Sequence, residues 1–193
     1  KVVQYIEACK KIGIDVLPPA VNESFKEFTC IGKNIRFGLA AIKNVGTTAI
    51  ESIITSREKD GPFKNFFEFV QRVDLRVCNR KVLESLIKCG AFDEWKLHRS
   101  QLMAMLDTAL EMGSNLQKDR NRGQMSFFEN TVGEGTFHDE QATIPAIPEW
   151  PENQKLAFER ELIGFYVSSH PLSKYTKVLK NYATATSDTL PEF

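Results

Sequence analysis

The sequence predicts a mainly α-helical fold with a short β-hairpin and a long irregular linker. Apolar residues recur at helical spacing through most of residues 1–116. Two short β-type runs flank a Gly-Lys-Asn turn at residues 32–34, and from residue 117 to 150 no period holds. The chain has 193 residues, of which 42% are hydrophobic and 26% are charged, so it can bury a core.

The first 37 residues are predicted to form one helix and the hairpin. The apolar positions of the helix have helical spacing: Val2, Val3, Ile6, Cys9 and Ile12. Gly13 ends this helix, and Pro18-Pro19 marks a turn. The strands of the hairpin are residues 29–31 and 35–37.

Helical patterns dominate the next part of the chain. They predict four helices with apolar stripes, over about residues 47–59, 65–72, 80–89 and 99–116. The third is the best delimited, because Asn79 is a good N-cap and Gly90 is a good C-terminal stop. Two further helices are predicted near residues 152–164 and 172–182.

The composition argues against a membrane or secreted protein. No apolar run approaches the roughly 18–20 residues that span a bilayer, so no membrane partner is expected. The chain opens with Lys1-Val2-Val3 and has no leader pattern, which predicts a piece of a longer protein whose upstream part could carry a targeting signal. The expected location is the cytoplasm. The four cysteines have neither zinc spacing nor a dense disulfide pattern, so free thiols in a reducing compartment are expected.

Side chains that could carry catalysis are sparse. His98, His138 and His170 lie far apart, and no phosphate-binding loop or paired metal-binding carboxylates can be recognised. A base-excision glycosylase would need a catalytic aspartate at a suitable position, but the nearest candidate, Asp60, lies in a predicted turn before Gly61. The sequence therefore predicts no catalytic residue, no metal site and no cofactor in this chain.

The formal net charge of zero hides an asymmetry. Residues 1–123 carry 20 Lys and Arg against 15 Asp and Glu, whereas residues 124–193 carry 5 against 10. The basic excess of the first part suits a polyanionic partner.

The sharpest local pattern lies between a short helix ending at Ile42 and the helix that opens at Thr47. It resembles the helix-hairpin-helix motif of proteins that bind DNA without sequence preference. The N–H groups at the start of the second helix would bind a phosphate, Gly46 would permit close approach, and Asn44 tolerates the left-handed conformation. The candidate DNA-binding residues are Lys43, Asn44, Val45, Gly46, Thr47 and Thr48. The alternative interpretation is two core helices joined by a polar turn.

A second, degenerate copy of the motif is predicted at residues 74–90. Its basic residues form the second set of DNA-binding candidates: Arg76, Arg80 and Lys81. The same residues would equally suit a solvated basic face. Contacts of this kind would be to the DNA backbone, and they would be weak and sensitive to salt.

The irregular linker contains one further pattern, the pentapeptide Gln124-Met125-Ser126-Phe127-Phe128. Two adjacent phenylalanines in a polar loop need a partner, because water disfavours their exposure. As an extended anchor peptide the segment would insert both rings into a partner's pocket, with an affinity of about −8 kcal/mol, which is micromolar. Alternatively, both rings fold back into the local core.

Taken together, these patterns resemble a segment from the C-terminal half of the bacterial replicative DNA polymerase III alpha subunits, the C family of DNA polymerases. The stretches that carry the resemblance follow in order along nearly the whole chain: residues 5–9, 13–19, 21–24, 35–39, 41–46, 79–93, 161–166 and 170–172. In the linker only the pentapeptide matches, and Phe127 stands where the family commonly has an aliphatic residue or Met.

The resemblance implies a division of the chain into four parts. Residues 1–37 would end the fingers domain, and residues 38–116 would form a tandem helix-hairpin-helix domain. Residues 117–150 would hold the clamp-binding motif, and residues 151–193 would form a helical connector towards an OB-fold outside this chain.

The resemblance also implies a function. The hairpin would grip the backbone of the primer–template duplex, and residues 124–128 would bind the ring-shaped sliding clamp, the beta subunit. Other replicase subunits would bind regions outside this chain. The palm domain, with its catalytic aspartates and Mg²⁺, also lies outside it, so we expect a processivity module without polymerase activity. The alternatives are a helix-hairpin-helix module of a repair or recombination protein, or a protein-interaction scaffold.

Overall fold

The structure, a computed structural model, describes residues 2–121, 144–169 and 171–175. It confirms a mainly α-helical fold. The regular elements in chain order are α1 (Val2–Lys11), β1 (Val16–Leu17), β2 (Thr29–Ile31), β3 (Asn34–Arg36), α2 (Thr47–Asp60), α3 (Phe66–Arg72), α4 (Arg80–Lys88), α5 (Arg99–Asn121) and α6 (Glu152–Leu162). Single turns of 3-10 helix lie at Leu39–Ala41, Asp93–Trp95 and Ser173–Tyr175.

The predicted β-hairpin is present, but it is part of a three-stranded sheet. β2 and β3 pair antiparallel around Gly32, while β1 pairs parallel with β3 and places Val16 beside Ile35. The strand order is β1-β3-β2. Sequence reasoning missed β1, because two residues before a Pro-Pro pair are too few to show an alternating pattern.

Side-chain capping sets the start of α4, and a glycine sets its end. The Asn79 side chain accepts a hydrogen bond from the Val82 N–H at 3.2 Å, as expected of an N-cap. After Cys89 the chain passes through Gly90 at φ 82°, and the Ala91 N–H donates to the Leu86 carbonyl at 3.0 Å. This six-to-one bond is the one that ends helices before a left-handed glycine.

One predicted helix end is wrong. α5 continues to Asn121, so residues 117–121 are helical and do not open the irregular linker. The Gln117 side chain ties this last part of α5 to the Val73 carbonyl at 2.8 Å. α6 ends at Leu162, within two residues of the predicted end. Of the predicted helix near residues 172–182, the described part is the 3-10 turn at Ser173–Tyr175.

One core joins α2, α3, α4, α5 and α6. Its centre is a set of edge-to-face aromatic contacts, in which the Phe92 ring lies 5.2 Å from that of Phe66 and 5.0 Å from that of Phe69. The predicted apolar stripes of α2, α4 and α5 face this core. The same cluster includes Phe37 and, far along the chain, Leu162. The four-part division from the resemblance stays a prediction.

All four cysteines are free thiols. Burial raises the pKa of the Cys78 and Cys89 thiols to about 12, so both behave as apolar core residues. Among the described residues, no helix has the length and hydropathy needed to cross a bilayer. Those residues also contain no group of three or more His, Cys, Asp or Glu placed to hold a metal ion.

Candidate nucleic-acid interface

The first hairpin begins with the 3-10 turn at Leu39–Ala41 and ends at α2. Its loop is anchored by two apolar side chains, Ile42 and Val45, which are 2% and 7% exposed. Between them Lys43 and Asn44 are exposed, and Asn44 has the left-handed φ of 68° that its residue type tolerates. The loop is therefore rigid on its core side and polar on its outer side.

The N-terminus of α2 is open to solvent. Gly46 is the N-cap residue, and no side chain caps the helix. Within the described part of the chain, the N–H groups of Gly46, Thr47 and Thr48 have no hydrogen-bond acceptor. The first turn contains no acidic residue, and a Cβ built on Gly46 would meet no atom within 4 Å. Free N–H donors at the positive end of a helix dipole are suited to bind an anion.

One predicted contact residue of this loop is oriented differently from the others. The Val45 side chain packs in the core, and its N–H donates to the Ile42 carbonyl at 3.3 Å. Both groups are thus used within the fold, so Val45 would support the loop and leave DNA contact to its neighbours. Its burial follows from the helical pattern, since an apolar residue ahead of a helix start packs on the core.

The second hairpin connects α3 to α4 through residues 73–79. Its arginines already have carboxylate partners. Arg76 Nη2 lies 2.7 Å from Asp74 Oδ2, and this hydrogen-bonded pairing lowers the pKa of Asp74. Arg80 pairs with Glu84 at 2.8 Å and also with Asp107. Intramolecular pairing therefore reduces the charge that both arginines offer to a phosphate.

Two exposed lysines of the hairpins differ from these arginines in their pairing. Lys43, in the first hairpin, and Lys81, in the first turn of α4, form no ion pair with any residue that the structure describes. A side-chain hydrogen bond from the neighbour of Lys43 links the two hairpins near both lysines. Asn44 Nδ2 donates to Ser85 Oγ at 3.3 Å, and that hydroxyl donates to the Lys81 carbonyl at 2.9 Å.

Further contacts pack the two hairpins against each other. The Cys78 thiol donates to the Ala49 carbonyl across 3.6 Å, and the Asp74 N–H donates to Ser52 Oγ at 2.9 Å. Cys78 precedes the N-cap of α4, and Ala49 lies in the first turn of α2. The N-terminal ends of α2 and α4 therefore adjoin, and together they form one polar surface.

Sequence reasoning missed two groups that contact the first hairpin loop. One is Ser85, which is 3% exposed. Its only signal in the sequence is that a small polar residue stands inside the apolar stripe of α4. The other is the Leu162 carbonyl, which accepts the Lys43 N–H at 2.9 Å. A backbone contact between residues so far apart leaves no sequence signal. The clamp-binding candidates, residues 124–128, lie outside the described residues.

Comparison with known proteins agrees with this geometry. A family model described as a helix-hairpin-helix motif matches residues 13–102. This range includes both hairpins and the sheet before them. The match ends early in α5 and does not include α6.

Curated relatives match almost the entire chain. The DNA polymerase III subunit alpha of Mycobacterium tuberculosis is 41% identical over 93% of this chain and 15% of that protein. Those of Borreliella burgdorferi and Pasteurella multocida are 39% identical over 95% and 99% of this chain, and 16% of each relative is covered. The chain thus spans about 15% of the length of the relatives it matches. It is homologous, over nearly its whole length, to one segment of the DNA polymerase III alpha subunit, and this segment includes a helix-hairpin-helix motif.

Proposed function

We propose that this chain binds the backbone of duplex DNA in support of DNA replication, as a processivity module of a DNA polymerase III alpha subunit. The observation that carries the proposal is the open N-terminus of α2, where exposed Lys43 lies beside three N–H groups that have no acceptor among the described residues. Its homology to a replicative polymerase segment supports the same conclusion.

The expected contact reads the DNA backbone and not its sequence. The donors at Gly46, Thr47 and Thr48 are main-chain N–H groups at a helix end, which suit a phosphate oxygen and carry no base specificity. Lys43 and Lys81 would each neutralise one phosphate. Arg76 and Arg80 would first have to give up a carboxylate partner, so they would contribute less. Affinity should be modest and should fall steeply with salt.

Substitution of Gly46 tests the proposal. In Gly46→Val the added side chain fits the folded chain, since φ is −77° and the space is open, but it occupies the position of the phosphate. We expect duplex affinity at low salt to fall about tenfold, the equivalent of one charge-assisted hydrogen bond. Fluorescence anisotropy with duplexes of two unrelated sequences measures this, and both should respond equally.

Ala104→Val, at an exposed position of α5, is the control because it introduces the same side chain away from both hairpins. Circular dichroism would verify that both variants are folded. Lys43→Gln should lower the slope of log affinity against log salt by about one. A wild-type chain that does not bind duplex at low salt, or a Gly46→Val variant that binds as tightly as Ala104→Val, would refute the proposal.

We also propose that residues 124–128 tether the chain to the sliding clamp, the beta subunit. The support is the pentapeptide itself and the homology to the alpha subunit. In a full-length alpha subunit, regions outside this segment would supply the polymerase activity, with Mg²⁺ in the palm domain. Those regions would also contact the other replicase subunits. This chain would supply DNA contact and clamp contact.

A further inference from the structure

Residues 144–169, called the strap below, return across the helices after the linker. The strap is fixed first at the N-terminus of α5. The carboxylate of Glu149 accepts the N–H groups of Arg99 at 3.1 Å and Ser100 at 3.3 Å. The Ser100 hydroxyl donates in return to the Pro148 carbonyl at 2.8 Å. This end of the strap is therefore docked on α5 by reciprocal hydrogen bonds.

A buried ion pair fixes the middle of the strap. Arg99 Nη1 donates to Glu159 Oε1 at 3.0 Å, and the two side chains are 5% and 0% exposed. The second oxygen, Glu159 Oε2, accepts the N–H groups of Val167 at 2.8 Å and Ser168 at 3.0 Å. Glu159 thus connects α5 to the turn that follows α6. Arg99 also donates to Asp93, so it would keep a carboxylate partner without Glu159.

The far end of the strap contacts the first hairpin on both sides of its 3-10 turn. Before the turn, the Phe165 ring packs 5.4 Å from that of Phe37. After the turn, the Leu162 carbonyl accepts the Lys43 N–H at 2.9 Å. Leu162 itself is 4% exposed, so its carbonyl is held by the core. The strap therefore contacts both ends of the segment that leads into the open N-terminus of α2.

We propose that the strap is part of the DNA-binding unit and that Glu159 is a positioning residue for the first hairpin. The inference rests on the proposed function and goes beyond the helix-hairpin-helix motif, which matches residues 13–102. Glu159 is buried and touches no phosphate. It acts by holding the strap, whose Leu162 carbonyl holds Lys43 in turn.

Preorganisation is the physical reason for this role. An exposed loop that is already ordered loses little conformational entropy when it binds a phosphate. Within the described residues, the loop has two polar contacts to distant parts of the chain, the Leu162 carbonyl at 2.9 Å and the Ser85 hydroxyl at 3.3 Å. Loss of the shorter one would leave the loop ordered mainly by Ile42 and Val45, and DNA would have to order the rest.

Glu159→Gln tests the inference, with Glu161→Gln as the matched control. Glu161 is exposed on the same helix, so the control makes the same chemical change without touching the strap contacts. At position 159 a glutamine must turn its NH₂ donor towards either Arg99 or the N–H groups of Val167 and Ser168. In both rotamers donor faces donor, and the strap loses part of its attachment.

Two measurements on the full chain separate positioning from general destabilisation. Hydrogen exchange of the Lys43 amide reports directly on its bond to Leu162, and the Leu86 amide within α4 is the internal reference. We expect Glu159→Gln to speed exchange at Lys43 but not at Leu86. Duplex affinity should fall by roughly three- to tenfold, within the range of coupling energies through packed networks, while Glu161→Gln changes neither value.

Phe165→Ala provides a second variant if Glu159→Gln does not fold, because Phe165 is only partly buried. It should show the same pair of effects. Faster exchange at Lys43 with unchanged DNA affinity would overturn the inference and leave the proposed function standing. Unchanged exchange and affinity in both variants would also overturn it. A wild-type chain that does not bind DNA would overturn the proposed function, and the inference with it.

Discussion

Gly90 is constrained both by its backbone conformation and by a neighbouring side chain. Its φ of 82° is a conformation that side chains with a Cβ rarely adopt. A Cβ at this position would also collide with the guanidinium of Arg99, lying 2.7 Å from Cζ and closer to Nη2. The end of α4 and the ion pair that holds the strap therefore both require a glycine here.

We predict that Gly90→Ala lowers the free energy of unfolding by about 2–4 kcal/mol. About 1 kcal/mol of this comes from the left-handed backbone, and the remainder from displacement of the guanidinium. Gly32→Ala is the matched control, because Gly32 has a φ of 60° and open space around its Cβ position. Urea unfolding of both variants measures the difference. Equal losses of unfolding free energy in the two variants would show that displacing the Arg99 guanidinium costs no stability.

At the scale of elements, the start of α5 is capped from a distant part of the chain. Glu149 supplies the cap, and its side chain accepts hydrogen bonds from the N–H groups of Arg99, Ser100 and Trp150. Burial raises the pKa of this carboxyl, but the three N–H donors and nearby Lys155 lower it more, so the net pKa is below its ordinary value of 4.5. A carboxylate at a helix N-terminus is also favoured by the helix dipole.

We predict that Glu149→Gln destabilises the fold by about 1 kcal/mol at pH 7. Because the folded-state pKa is lowered, the stabilisation is complete above about pH 4.5 and is lost as the pH falls through the folded-state value. The difference between wild type and variant, measured by thermal unfolding at several pH values, should shrink accordingly. Glu111→Gln, exposed on α5, is the control. A difference that stayed constant down to pH 3 would contradict this account.

At the scale of the whole molecule, the proposed clamp peptide lies in the sequence between α5 and the strap. α5 has 23 residues, about 34 Å in length, and the chain re-enters the described structure near its start, where the Gln101 side chain bonds the Pro145 carbonyl at 2.9 Å. Residues 122–143 can extend to about 75 Å, which exceeds the return path. Under the proposed function this contour length would let residues 124–128 contact the clamp while the hairpins contact DNA, so that two weak contacts would combine as avidity.

A titration against a bacterial sliding clamp tests this tether. We predict micromolar binding by the full chain, and its loss when Gln124, Phe127 and Phe128 are all changed to Ala, because each ring would bury about 150–250 Å². Phe137→Ala is the matched control, since it removes one ring from the same linker outside the pentapeptide. Clamp binding that is absent in the wild type, or equal in the triple variant, would refute the tether and leave the DNA proposal unaffected.

Much of this fold could be predicted because its signals are local. Helical spacing predicted α2 to α5, the Asn79 cap and the Gly90 stop were identified from residue type alone, and the loop before Thr47 was located by its motif. These features depend on residues within one or two turns of each other. The length of α5 was mispredicted, because its last turns lie beyond the apolar stripe and are built from polar residues that also occur in loops.

The sequence by itself determined the helices, the hairpin loops and the kinship with a replicative polymerase segment. Only the tertiary structure decided which basic residues remain unpaired, since Arg80 meets Asp107 on another helix. It also decided that the strap docks on α5, through an ion pair between residues 60 positions apart, and on the first hairpin, through the Leu162 carbonyl and the Lys43 N–H. Such contacts depend on the packing of the entire core, which positions side chains that have no pattern in common along the chain.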